Sequence, residues 1–141
     1  MSIFDVLHFG KKKIVPPLDD AVLELSGVLM QINNISDTED KEKAVMLMQT
    51  HVSKIEKARK SLIKAIAGLQ KNIKSYPRAK KVGERLFELI KPLERVVDRI
   101  KLTSKERKKI SIGEVMMRLE QNKRTIMKII DLIEKETKDI R

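Results

Sequence analysis

Carboxylates are the first residues whose spacing could do chemistry. Glu84 with Glu88, or Glu88 with Asp98, could pair two carboxyl groups for acid–base work or for a metal. They alternate with Lys80, Lys81, Arg85, Lys91 and Arg95, so ion pairs between residues four apart on a wet helix face account for them. The two histidines, His8 and His51, are far apart in sequence. Neither has a glutamate three residues before it, as the Glu-x-x-His pairs of di-iron bundles require. There is no cysteine, hence no disulfide, thiolate metal site or cysteine nucleophile. The residues therefore predict a protein that is not an enzyme, with no cofactor, no metal and no small-molecule substrate.

Lysine is the more informative side chain. Lys57, Lys60, Lys64 and Lys71 fall on one side of a helix, with Lys54 and Lys74 at its margins. Like charges a turn apart repel mildly, and only Glu56 lies nearby in sequence to offset them. That pattern points to a polyanionic partner, although a solvated face is the ordinary use of such lysines. A second cluster follows at Lys105, Arg107, Lys108 and Lys109. Nucleic-acid phosphates are one candidate ligand. With no Trp, one Tyr and three Phe, base stacking is poorly served, and lysine is a weaker reader of bases than arginine. DNA or RNA binding would then be salt-sensitive and independent of sequence.

The N-terminal segment suggests the other polyanion. Ile3, Phe4, Leu7 and Phe9 precede Lys11, Lys12 and Lys13. Apolar side chains could enter a lipid interface while each lysine gains about 1 kcal/mol beside anionic headgroups. Equally, the segment could plug the bundle, with the lysines as a flexible linker. Its charge follows the apolar residues, unlike a secretory signal, and no window approaches 18 consecutive apolar residues.

The elements that must position these residues are helices. Across 141 residues the net charge is +11, shared as −4 over residues 1–40, +10 over 41–81 and +5 over 82–141. An acidic first helix docked on a basic second one is thus an internal alternative to any external ligand. The first helix is predicted to begin after Pro16-Pro17, with Leu18, Val22, Leu25, Leu29 and Ile32 on one face, Asp19 and Asp20 at its positive end, and Asn33-Asn34 at its close. A capping box, Ser36 to Glu39, opens the second. This helix is predicted to run to Lys74, roughly 36 residues or ~54 Å, with the seam Val45, Met48, Val52, Ile55, Leu62, Ile66, Leu69 and Ile73. Arg59 is the only charged residue on that seam.

Tyr76-Pro77 ends the long helix. The third is expected from Arg78 to Lys101, apolar at Val82, Leu86, Leu89, Leu93, Val96 and Ile100, with a kink at Pro92. Thr103 to Glu106 reads as a further capping box, and Ser111 or Gly113 as the entry to the last helix. The last seam is Ile112, Met116, Leu119, Ile126, Ile130 and Ile133, interrupted by Asn122 and Lys123. Met48 and Met116 lie on seams and read as core fillers.

The fold class is all-α, a four-helix bundle or helical hairpin with one over-long basic helix. Residues 1–15 form the leader and residues 16–141 a single helical domain. A first helix of about 16 residues cannot cover a second of about 36, so a homo-oligomer is expected, unless two shorter helices together span the long one. Abundant Lys, Glu, Ile and Val with little Gly is similar to thermophile composition. Absent cysteine fits a cytoplasmic protein, one peripheral at a membrane if the leader enters lipid.

A short apolar-basic leader (Met1 to Lys13), a long basic helix and further helices on a proline-containing hinge resemble the ESCRT-III superfamily, in particular its archaeal cell-division members. The stretch Leu86 to Val97, followed by Glu114 to Leu119, is similar in texture to the later helices of that family. The resemblance implies a non-enzymatic protein that polymerises on membranes through extended helices. Ile3, Phe4, Leu7 and Lys11 to Lys13 would then be the membrane leader, and the basic helix would face lipid or a neighbouring subunit.

Overall fold

Four apolar stripes at alternating spacings of three and four need one another's company, and they find it in four rods. The structure, a computed structural model, describes residues 3–74 and 76–140, with side chains from Lys13 onward. Helix α1 is Ile3–Ile35; α2 (Lys41–Gln49) and α3 (His51–Lys71) make a second, bent rod. Helices α4 (Ala79–Phe87) and α5 (Ile90–Glu106) make a third, and α6 (Ile112–Ile140) is the fourth. Among the described residues there is no strand. Helix α1 packs chiefly on α3 and α6, while α5 packs on α2, α3 and α6, so the rods close into a ring. Short connections make neighbours antiparallel: Gly68 meets Lys13 and Ile14, and Lys54 meets Gly27. The protein is an up-down-up-down four-helix bundle.

Helix α1 does not begin after Pro16-Pro17; it passes through them unbroken for 33 residues. Each proline lacks an N–H, so the carbonyls of Lys12 and Lys13 receive no helical bond, a loss of roughly 3 kcal/mol per interior proline. Against that loss stand Ile14, Leu18, Leu25, Val28, Ile32 and Ile35, all buried at heptad spacing. Each contributes about 1.5–3 kcal/mol by leaving water, so burial wins. Asp19 and Asp20 accordingly lie well inside the helix, far from its positive end. The two rods are now of similar length, 33 residues in α1 against the 31-residue span of α2 and α3, although Gly68 meeting Ile14 leaves the first turns of α1 beyond the end of α3. The difference in helix length therefore no longer argues for a second subunit.

The approach of α1 to α3 depends on Gly68. A Cβ there would stand 3.1 Å from Ile14 Cγ1 and 3.3 Å from the Lys13 carbonyl oxygen. Gly68→Val is expected to cost about 1–3 kcal/mol in urea unfolding, because Ile14 must shift and the Lys13 carbonyl oxygen, being backbone, cannot rotate away. A wild-type midpoint would show that the helices do not meet this closely.

The second rod bends at Thr50 instead of running straight. Its hydroxyl donates to the Leu47 carbonyl at 2.6 Å, and its own N–H takes the same oxygen at 3.1 Å, one residue short of the helical partner. Val45, Met48, Ile55, Leu62, Ile66 and Leu69 are buried as the seam predicts. Val52 is only half-buried, and Ile73 is 45% exposed because α3 ends at Lys71. His51, Ala58 and Ala65 take up the seam instead, and Arg59 reaches Glu94 at 3.3 Å. The N-cap is Asp40, which accepts from the Lys43 N–H at 3.2 Å; Ser36 donates to the Asn33 carbonyl, so Ser36 to Glu39 is no capping box.

In the third rod all six predicted seam residues are buried. The interruption falls at Glu88–Leu89 because Pro92 cannot donate to the Glu88 carbonyl four residues back. The expected cap at Thr103 is instead the last turn of α5. Its buried hydroxyl donates to the Arg99 carbonyl (2.7 Å) and accepts from Arg118 Nη1 (3.1 Å). Helix α6 is capped by Ser111, which accepts the Glu114 N–H. Asn122 does not interrupt the seam but joins it, fully buried, with Oδ1 accepting from Arg99 at 2.8 Å. Met48 is buried and Met116 half-buried against the core.

Arg85 makes a tertiary ion pair, not one with a residue four apart on its own helix. Arg85 forks onto Glu136 at 2.5 and 3.0 Å, binding α4 to the last turns of α6 and raising the guanidinium's pKa through that hydrogen bond. Glu136 is 4% exposed. Arg85→Ala should therefore lower the melting temperature more than Arg85→Ala combined with Glu136→Leu, since the single variant strands a buried carboxylate. The reverse order in thermal melts would mean that water already solvates Glu136.

Candidate polyanion-binding surface

Helix α3 carries its lysines toward α1. Lys57, Lys60 and Lys64 line one side of a groove whose other side is Asp20, Leu23 and Glu24 of α1. The groove continues past Ser61 into a cavity of about 460 Å3 bounded by Lys13, Pro16, Pro17, Ala67 and Lys71. The antiparallel register thus brings Lys13, the last lysine of the leader, to the face that holds Lys64 and Lys71. Five lysines share this groove with two carboxylates. Sequence spacing alone places the lysines of α3 together but cannot place Lys13 beside them, because that depends on α1 remaining helical through two prolines.

The remaining predicted residues are distributed differently. Lys54 is half-buried, its ammonium 3.4 Å from where a Cβ on Gly27 would stand, so it covers α1 as much as it faces solvent. Lys74 is exposed in the turn after α3. Lys105 lies in the last turn of α5, and Arg107, Lys108 and Lys109 lie in the connection to α6. Arg107 meets Glu42 at 3.8 Å at the start of α2, and Lys41 donates to the Ile110 carbonyl at 3.0 Å. That end of the rod is roughly 40 Å from Lys71 at 1.5 Å per residue, so the two basic clusters do not form one surface. Ile3, Phe4, Leu7, Phe9, Lys11 and Lys12 belong to the helical start of α1, but their side chains lie outside the described residues.

The two cations divide the work. Ion pairs among the described residues are made by arginines: Arg59, Arg85, Arg107, Arg118 and Arg124. Arg118, half-buried, binds Glu106 and Glu114 as well as Thr103. None of the five groove lysines is in an ion pair among those residues. Arginine's planar fork suits fixed internal pairing, whereas lysine remains a mobile point charge. Asp20 and Glu24 temper the groove without neutralising it. This acidic edge is the internal docking that the charge distribution along the chain suggests, reduced to two carboxylates.

No group of three His, Asp or Glu side chains among the described residues could hold a metal ion. No described helix is long and apolar enough to cross a membrane. The class defined by fold and surface is an up-down-up-down four-helix bundle with a lysine-lined groove. No family model matches the chain, and no curated protein or solved structure matches it. The particular activity is therefore read from the chain's own residues.

Proposed function

We propose that the protein is a non-enzymatic helical scaffold that binds an anionic membrane surface along the α1–α3 groove, with the start of α1 entering the lipid interface. The observation that carries this reading is the set of five lysines, Lys13 among them, that make no ion pair among the described residues while the arginines staple the fold. Each lysine near an anionic surface contributes about 1 kcal/mol, and the effect decays within a Debye length of roughly 8 Å at physiological salt. Helical continuity supports the same reading, because α1 joins the apolar-basic leader rigidly to the groove. A rigid amphipathic extension loses less entropy on binding than a flexible linker. The resemblance to ESCRT-III-like proteins points to the same class of surface, and two long packed rods agree with it.

The test is co-sedimentation with vesicles containing phosphatidylserine, comparing the full chain with one starting at Ile14, in low and physiological salt. The full chain should pellet, the shortened chain should pellet weakly, and raising the salt should release both. If neither chain pellets but both bind duplex DNA with a steep salt dependence, the polyanion is nucleic acid. If neither binds either one, the lysines are a solvated face and the proposal falls.

A further inference from the structure

On the other side of α3 from the lysine groove, a cavity of about 650 Å3 lies open between α3 and α4. Its walls are apolar: Ile66 from α3, Ile73 from the turn that follows it, and Phe87 from α4. Phe87 is 66% exposed, one of only three phenylalanines in the chain. Gly83 forms the floor, and a Cβ placed on it would meet nothing within 4 Å. An exposed ring beside an open apolar slot on the same helix face costs solvation on both counts. Lys80 and Glu84 of α4 and Glu88 at its C-terminal cap also line the cavity, at intervals of four. The stripe is therefore basic at its first residue and acidic toward its end.

We infer that this face is a two-fold interface with a second copy of the chain. A two-fold operation sets two copies of α4 antiparallel, so the basic end of each stripe meets the acidic end of the other. Phe87 of each copy then enters the slot above the partner's Gly83, between the partner's Ile66 and the partner's Ile73. Lys80 lies against the partner's Glu88. One surface supplies both knob and hole, together with both signs of charge, which is the requirement for an isologous contact. A ring filling a pocket surrounded by charged residues is also the usual anatomy of an interaction hot spot. The dimer does not depend on the lysine groove, which faces the opposite side of α3, so failure here leaves the membrane reading intact.

Sedimentation equilibrium of the full chain without lipid, from 1 to 200 µM, tests it. The wild type should shift from monomer to dimer across that range. Phe87→Lys should weaken association at least tenfold. Gly83→Leu should do the same while raising the melting temperature, because it fills the slot and removes a helix-interior glycine. Its monomeric state could not then be blamed on unfolding. Lys80→Glu and Glu88→Lys should each weaken the dimer, and an equimolar mixture of the two variants should associate more strongly than either alone. A wild type that stays monomeric at 200 µM overturns the inference, and so does a Gly83→Leu variant that dimerises like the wild type.

Discussion

Lys64→Glu combined with Lys71→Glu is expected to weaken binding to phosphatidylserine vesicles by roughly 1,000-fold. Each reversal removes one favourable charge and adds an unfavourable one, about 2 kcal/mol per site at about 1 kcal/mol per charge. Two sites sum to about 4 kcal/mol, which is close to three decades in affinity. Both side chains are exposed and outside the ion pairs of the described residues, so the far-ultraviolet circular dichroism melt should stay near that of the wild type. The control is Lys108→Glu combined with Lys109→Glu, which makes the same change in net charge at the far end of the bundle. It should cost less than tenfold, because the substituted residues lie several Debye lengths from the groove. Equal losses from the two double variants would show that only net charge matters, and the groove would lose its claim.

His51→Leu is expected to remove most of the bundle's sensitivity to mild acid. His51 is 1% exposed, and neither ring nitrogen has a hydrogen-bond partner among the described residues. Burial first, and the nearby Lys54 ammonium second, lower its pKa from 6.5 to about 4. The folded chain therefore keeps this ring neutral while the unfolded chain takes up a proton below pH 6.5. Its contribution is fully present above pH 6.5 and is lost as the pH falls toward 4, a loss approaching about 3 kcal/mol. Urea unfolding at pH 7 and pH 4.5 measures it. The variant should lose less stability than the wild type between the two, and at pH 7 should gain about 1–2 kcal/mol, because an unpartnered imidazole gives way to an apolar side chain. Carboxylates also titrate near pH 4.5, so the difference between the two proteins is the quantity that counts. Parallel losses would assign the acid sensitivity to those carboxylates instead.

Most of the wrong local readings share one cause. Pro16-Pro17 is a strong stop signal worth a few kcal/mol, yet six buried aliphatics of α1 outweigh it. Ser36 to Glu39 and Thr103 to Glu106 both carry the capping-box pattern. The first loses to Asp40 one residue beyond it, and the second is drawn into α5 because the Thr103 hydroxyl finds Arg99 and Arg118. Arg85 has an acid within helical reach at Glu88 but takes Glu136, 51 residues away, because that carboxylate is buried and has the greater need of a cation. At the prolines, at Thr103 and at Arg85 a short-range preference meets a larger tertiary one, whereas Ser36 to Glu39 loses to a neighbouring local cap.

By itself the amino-acid order determined the all-α class, the apolar stripe of the third rod, the disruption caused by Pro92 and the lysine stripe of α3. Apolar periodicity and helical spacing are properties of the chain alone, and packing only had to accept them. Tertiary structure decided that α1 runs through its prolines, that Lys13 joins Lys64 and Lys71 in one groove, and that Lys105 to Lys109 stand apart at the far end. It also set Phe87 beside an open slot at Gly83. These outcomes depend on which surfaces meet and in what register, a choice made by burial summed over four helices and not by any residue's neighbours in sequence.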